Sequence, residues 1–406
     1  IGTRFDESDE RRRKMNARGE SAFLPVLVTK GGETNWTLSP IADFTAWDVF
    51  EFIGCVRSGR FETYSDFEKL IQVYRDSEGG ECMVNIYASG NGSGRTACGS
   101  RHGCWTCLAV SDDKSMRNML EDEEGRFDWM QGLYDVRSWV QARHYDWSSR
   151  NWLARTVNEE TGTIKISPNA YSPDFCLELL RYILTIDARE EEAAIAAGLN
   201  EPRFKCLKLQ DILAIDALWN RYGYQQGLQA SAAFHDIYVK GHRYNVPKNL
   251  AVARPQPMPR DQEVPFIDEH YWSPHSGFRD LGMAVIGQES VIEKQGRLYS
   301  NINTDDEFTV DEEGAELFFG FELEYALDKY HREDSCINPT AALEYLLRLG
   351  VVSIYKGSHS EWDRMLRVAN QICRHGIRDC LHDPVELVAR LTGGSQQYSN
   401  SQGALF

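Results

Sequence analysis

The sequence predicts an α/β N-terminal portion followed by mostly α-helical regions, on three observations. An extended apolar segment, Ala22 to Lys30 (AFLPVLVTK), precedes a helical one at residues 44–53 (FTAWDVFEFI). From Ser115 onward the apolar residues recur at helical spacing. A stretch punctuated by Pro247, Pro255, Pro257, Pro259 and Pro265 then separates two helical regions.

Taken in order, the residues justify each element. Ala22 to Lys30 is rich in Val and Leu, as a strand or extended segment requires. In residues 44–53, Phe44, Trp47, Val49, Phe50 and Ile53 fall mostly on one helical face, with Thr45 placed to cap it. Residues 81–114 are loop-like, rich in Gly, Ser and Asn, and a loop of that length calls for an organising metal. Met116, Met119, Leu120, Phe127, Met130, Leu133 and Tyr134 are spaced for one buried helical stripe. Ser172-Pro173-Asp174 is a helix start, with proline near the first position and an acid in the first turn. Residues 207–240 predict one or two further helices. Glu316 to Tyr330, Pro339 to Leu349, Ser360 to Cys373 and Pro384 to Leu391 predict four more. The polar tail GGSQQYSNSQG is expected to be disordered. The resulting division is 1–115, a helical domain at 116–245, a proline-rich linker at 246–265, and a mostly helical domain at 266–406.

The chain has 406 residues, 42% of them hydrophobic, enough for two or three cores. No apolar run approaches the roughly 20 residues that span a bilayer, and the N-terminal IGTRFDESDERRRK lacks the features of a secretory signal. A cytoplasmic protein without a membrane contact is expected. The formal charge of −17 opposes long-range attraction to nucleic acid, so DNA, if it is the substrate, is expected to be presented by partners.

Ten cysteines in such a chain point to metal rather than disulfides. Cys82, Cys98, Cys104 and Cys107 form C-x15-C-x5-C-x2-C, a local set of soft thiolate ligands. Structural zinc prefers two short knuckles, and only GCWTC is knuckle-like here, which favours an iron-sulfur cluster over zinc or unligated redox thiols. Gly99 and Gly103 permit close backbone approach, Trp105 can shield the site, and Arg95, Arg101, His102 and Lys114 offer positive charge to an anionic cluster. Cys55, Cys176, Cys206, Cys336, Cys373 and Cys380 read as small core residues. A second metal site from Cys373, His375, Cys380 and His382 is the lesser alternative.

At the N-terminus, GTRFDESDERR sets Arg4, Arg11 and Arg12 around the acids Asp6 and Glu7. Guanidinium forks match phosphate oxygens at any relevant pH, although a solvated charged helix accounts for the same pattern. His144, Trp147 and Trp152, near Arg143 and Arg150, could stack on a base, against a reading as ordinary packing. Asp43 and Asp48 could orient a nucleotide or simply cap a helix, and Glu190, Glu191 and Glu192 read as a solvated face. No residue reads as a general base, so no catalytic residue is assigned.

GTRFDESDERRRK resembles the Gly-x-Arg-x-x-Glu-Ser segment of the phosphoadenosine phosphosulfate (PAPS) reductase and ATP sulfurylase small-subunit family. PIADFTAWDVFEFI resembles that family's Pro-x-x-Asp-Trp-Thr-x-x-Asp-Val segment, with Phe44 in place of the usual tryptophan. VYRDSEGGEC followed by CGSRHGCWTCLAVSDDKSM is similar to the cluster-bearing stretch of the DNA phosphorothioation sulfurtransferases, the DndC and SspD group. The resemblance covers residues 1 to about 120 and extends loosely to about 245. It implies that residues 1–115 are the C-terminal part of an adenine-nucleotide α-hydrolase-like PP-loop domain of α/β fold, its N-terminal half absent. The family's Ser-Gly-Gly-x-Asp-Ser pyrophosphate turn does not occur in residues 1–406, and GNGSG at 90–94 is no substitute. ATP with magnesium is therefore expected to act through a segment upstream of Ile1 or on a second chain.

The resemblance further implies an ATP-dependent sulfurtransferase of DNA phosphorothioate modification and phage defence. A cysteine desulfurase would supply sulfur, with other phosphorothioation proteins as partners. Arg4, Glu7, Arg11 and Arg12 would bind nucleotide or phosphate, and Cys82, Cys98, Cys104 and Cys107 would hold a 4Fe-4S cluster. Three alternatives stand beside it. PAPS reduction ranks lower because cluster-binding reductases carry paired adjacent cysteines, which this chain lacks. Transfer-RNA thiolation lacks a supporting basic patch. A non-catalytic iron-sulfur assembly subunit would explain the missing pyrophosphate turn.

Overall fold

A computed structural model describes residues 1–7, 9–30, 33–65, 67–68, 105–106, 108, 113–122, 124–248, 250–254, 262–278, 290–294, 297–301, 308–331, 339–355 and 358–401. The described chain mixes helices with small sheets, and every strand pairing among the described residues is antiparallel. It divides into two units, Ile1–Tyr134 and Asp135–Phe406.

In the first unit, α1 (Asp9–Arg18) is almost entirely charged or polar, and among its described side chains Met15 alone is buried. Such a helix gains little from burial and depends on what holds its ends. Gly19 leaves it in the left-handed conformation, φ +69°, which glycine adopts without a Cβ penalty. The expected extended segment forms β1 (Val26–Lys30), paired with β2 (Glu33–Thr37) from Val26 opposite Thr37 to Lys30 opposite Glu33. Helix α2 (Ala46–Arg57) begins at a reciprocal capping box. Asp48 Oδ2 accepts the Thr45 N–H at 2.7 Å, and the Asp48 N–H donates to Thr45 Oγ1 at 3.2 Å. Its predicted apolar face buries Ile53 but leaves Phe44 and Trp47 exposed. Helix α3 (Lys114–Leu120) is capped by Asp113, which accepts the Met116 N–H.

Helix α4 (Gln131–Arg143) leads into the second unit. Here the region predicted to be helical contains two long strands, β3 (Arg150–Asn158) and β4 (Thr163–Tyr171). Leu153 faces Ile166 while Val157 faces Ile164, so β3 bulges between them. The short edge strand β5 (Gln262–Pro265), from within the expected linker, pairs with β4 and completes the sheet. Pro265 is tolerated there because an edge position does not need its N–H.

Helix α5 (Pro173–Ala196) starts as predicted, with Ser172 accepting the Phe175 N–H and proline in the first turn. Helix α6 (Leu209–Arg221) follows, then α7 (Gln229–Phe234), which continues as a π-helical turn at His235–Val239. The C-terminal region holds hairpin strands β6 (Ser290–Lys294) and β7 (Arg297–Asn301), and β8 (Phe308–Val310). Helix α8 (Glu312–Leu317) runs through a π-helical stretch, Phe318–Glu322, into α9 (Leu323–Tyr330). Then come α10 (Ala341–Leu349), β9 (Val352–Ile354) paired with β8, α11 (His359–Arg374) and α12 (Pro384–Ser401). Helical backbone thus reaches Ser401, where composition predicts disorder.

Two helices join the cores. Helix α6 gives Leu213 and Ala217 to one cluster and Ile212 and Trp219 to another; α11 gives Trp362 and Leu366 to the first, and Val368 and Ile372 to the cluster over the β3–β4–β5 sheet. Because residues 150–171, 262–266 and 368–391 share that last cluster, the second unit is continuous across the expected boundary at 246–265.

Helix α11 also clamps the loop after β5 by hydrogen bonds. Arg367 Nη1 donates to the carbonyls of Tyr271 (2.7 Å) and Ser273 (2.9 Å), while Asn370 Nδ2 donates to that of Ser276 (2.8 Å). Gln371 Nε2 and Arg374 Nε both donate to the carboxylate of Asp268. The backbone of Gly277 approaches so closely that a Cβ there would lie 1.9 Å from Asp363 Oδ1.

Candidate functional site

The N-terminal arginines sit on a segment held by one buried acid. The carboxylate of Glu20 accepts Arg18 Nε at 2.6 Å, Ser39 Oγ at 2.9 Å and Thr3 Oγ1 at 3.5 Å. Phe5 is fixed by its N–H to the carbonyl of Ala42, 2.8 Å. Arg12 reaches back from α1 and donates Nε to the carbonyl of Phe5 at 3.2 Å. Arg4, half-buried, and Arg12, exposed, therefore border the same turn, while Arg11 lies exposed on α1. The side chain of Glu7 lies outside the described residues. Glu20 is the member sequence reading missed; an acid directly after a helix-ending glycine is a weak signal, easily taken for solvated surface.

Asp48 is not poised for a ligand. Its carboxylate takes both the backbone and the hydroxyl of Thr45, and those bonds hold its pKa below the usual carboxylate value. Helix capping is its observed role.

Cys82, Cys98, Cys104 and Cys107 lie outside the described residues, and so does the loop that carries them apart from Trp105, Thr106, Leu108, Asp113 and Lys114. Their chemistry as four thiolates is that of a soft-metal donor set. The alternative site at Cys373, His375, Cys380 and His382 is not assembled. Cys373 carries a disulfide, His375 Nε2 lies 2.7 Å from the carbonyl of Phe266, and Cys380 Sγ donates to the carbonyl of Ile377. Among the described residues no three His, Cys, Asp or Glu side chains form a metal-binding group.

Arg143, His144 and Arg150 do converge, beside Tyr171 at the junction of α4, β3, β4 and α5. Arg150 lies over the Tyr171 ring at 4.5 Å, and His144 Nδ1 is 2.7 Å from the Tyr171 hydroxyl. Arg143 stacks over Trp139 and Phe175 and donates to Glu178 (2.9 Å) and Ser149 (3.0 Å). Burial, reinforced by the charge of Arg150, lowers the pKa of His144. The cluster satisfies its own donors: Arg150 also bonds the carbonyl of His144, so it reads as a brace rather than an open ligand site. Trp147 and Trp152 pack edge to face, centroids 5.7 Å apart, and Trp152 Nε1 donates to the carbonyl of Trp147. Base stacking by these two tryptophans is therefore replaced by core packing.

Five further acids are structural. Glu190, expected on a solvated face, is buried and accepts the N–H (2.8 Å) and Nη1 (3.1 Å) of Arg203; Glu191 and Glu192 pair with Lys205 and Arg243. Asp187 accepts the N–H groups of Cys206 and Leu207, fixing the approach to α6. Asp216, fully buried on α6, accepts the N–H groups of Ala230 (2.8 Å) and Ser231 (2.9 Å) and the Ser231 hydroxyl (2.6 Å). It thereby caps α7 from a neighbouring helix. Burial outweighs these bonds and pushes its pKa up to about 7.

A groove of about 540 Å³ runs along the bulged β3–β4 ribbon, lined by Arg155, Thr156, Asn158, Thr163, Lys165 and Glu263 among others. Its charges are mixed and its aspect is open, which suits no single ligand class. No helix of the described residues is long and apolar enough to cross a membrane. No protein-family model, curated protein or solved structure matches the chain.

Proposed function

We propose that the chain is the sulfurtransferase component of DNA phosphorothioate modification. The observation that carries this reading is the cysteine quartet Cys82, Cys98, Cys104 and Cys107, within a stretch similar to the cluster-bearing region of that group. Two ordered resemblances upstream support it. Arg4 and Arg12 border one braced turn, an arrangement of two guanidinium groups that suits a nucleotide phosphate.

In this reading ATP activates a non-bridging oxygen of the DNA backbone, with release of pyrophosphate. The terminal sulfur of a cysteine persulfide supplied by a desulfurase then attacks the phosphorus as AMP leaves with the activated oxygen, and a thiol reductant cleaves the remaining S–S bond, giving the phosphorothioate and a disulfide. Arg4, Arg11 and Arg12 bind and orient the phosphates, with Glu7 positioned among them. The four thiolates would hold a 4Fe-4S cluster, or zinc in the alternative. ATP with magnesium binds through a pyrophosphate turn that residues 1–406 do not contain. A second reading keeps the cluster and drops the catalysis, as a non-catalytic iron-sulfur subunit of the same machinery.

The experiment is to express the chain with its desulfurase and partner proteins in cells lacking the modification. Nuclease digests are then examined for phosphorothioate dinucleotides by mass spectrometry. Modified DNA that disappears with Arg4→Ala or Cys104→Ser is the expected outcome. Modification that is unchanged without the chain contradicts the proposal, and modification that needs the chain but withstands Arg4→Ala and Arg12→Ala favours the assembly-subunit reading.

A further inference from the structure

The helix running from α8 through its π-helical stretch into α9 buries one face and leaves the other uncovered. Ala315, Phe318, Leu323 and Ala326 are buried in the core, and Phe319 packs edge-on against Phe234 at 4.7 Å. The wider π-helical turn lets Phe318 and Phe319, adjacent in sequence, both contribute inward. The opposite face carries a ridge at every fourth position: Leu317 is 54% exposed, Phe321 83% and Tyr325 55%. Beside Phe321, Gly320 is exposed, and a Cβ built there would meet nothing within 4 Å, so the ridge has an open notch. Three large apolar side chains aligned in water mark an interaction surface more than scattered exposure would.

The rim of this ridge is acidic. Glu313, Glu316 and Glu324 are exposed, and no cation pairs with them among the described residues; Glu312 lies 3.9 Å from Lys208. Lys329, the only base in residues 312–330, is engaged on the hydroxyl of Tyr325 at 3.2 Å. Such a rim repels nucleic acid, anionic lipid and a second copy of this chain, whose net charge is −17. An occupant must cover an apolar ridge with its own apolar stripe and place positive charge on both sides of it. The ridge-and-notch relief matches the side-chain rows of a second helix.

We propose that this face docks a protein partner presenting a basic amphipathic helix, with Phe321 as the central anchor. The proposal does not depend on the sulfur-transfer reading.

The test uses the full chain and two fluorescently labelled helical peptides that share one leucine and methionine stripe, flanked in one by lysines and in the other by glutamates. Anisotropy titrations are expected to show the lysine peptide binding, with affinity that falls as salt rises. Phe321→Ser is expected to weaken it roughly tenfold or more, as loss of an anchor does. Glu316→Lys with Glu324→Lys is expected to reverse the preference toward the glutamate peptide. All three sites are exposed, so circular-dichroism melts of the variants should match the parent. The proposal is overturned if neither peptide binds, if both bind alike, or if Phe321→Ser leaves affinity unchanged. It is equally overturned if sedimentation shows a concentration-dependent dimer of the parent that Phe321→Ser abolishes, since the occupant is then a second copy.

Discussion

The Asp216→Asn substitution tests how the buried acid on α6 couples stability to pH. In the folded chain the carboxyl is pushed up to about 7 from its ordinary 3.8, because burial outweighs three hydrogen bonds. With the folded pKa above the unfolded one, the contribution is fully present below about pH 4 and is lost as pH rises toward 7. Between those limits the unfolded chain has released its proton while the folded chain still holds it. At 1.36 kcal/mol per unit, the three-unit gap amounts to roughly 4 kcal/mol. The amide that Asp216→Asn introduces does not titrate, so the stability difference between parent and variant should shift by up to that amount between pH 4 and pH 7.5. A constant offset of about 1–3 kcal/mol is also expected, because an amide cannot accept from all three donors. Asp187, also raised by burial, is common to both proteins and cancels. Urea unfolding of the two proteins at several pH values reads the difference directly. Parallel stability curves would mean that Asp216 titrates alike in the folded and unfolded chains, against a raised carboxyl.

Gly277→Ala places a methyl against Asp363 Oδ1, which is itself held by the Phe278 N–H while Oδ2 holds Arg367. Destabilisation by about 1–3 kcal/mol is expected in thermal melts, and less in an Asp363→Ala background where the obstacle is gone. Thr45→Ala removes the cap of α2 and should cost about 1 kcal/mol in the first unit, whereas Thr45→Ser should be nearly neutral by the same melts. Cys104→Ser should lower bound iron in anaerobically purified protein, as read by elemental analysis; unchanged metal content would remove Cys104 from the ligand set.

Elements announced by local chemistry were legible in the sequence. Ser172-Pro173-Asp174 carries its own start signal, and Thr45 with Asp48 forms a cap from residues three apart. The C-terminal helices α10 and α11 follow directly from apolar spacing. Strands β3 and β4 were missed because the bulge in β3 breaks the alternation that would reveal it, and residues on either side are helical. The continuity of the second unit was illegible for a different reason. It rests on β5 pairing with a strand about a hundred residues earlier and on α12 covering the same sheet, contacts that no local window contains. Glu190 looked solvated among three consecutive acids, yet its partner Arg203 lies beyond the end of α5. At the candidate site, the arginines and cysteines were named from residue type and resemblance, but the clamp by Glu20 depends on Thr3, Arg18 and Ser39 meeting in space.

The central claim is the cluster on Cys82, Cys98, Cys104 and Cys107. Anaerobic purification, iron, sulfide and zinc analysis, and a visible spectrum test it most directly. About four irons and four sulfides per chain, with a broad band at roughly 400 nm, are expected. One zinc and no sulfide would contradict it.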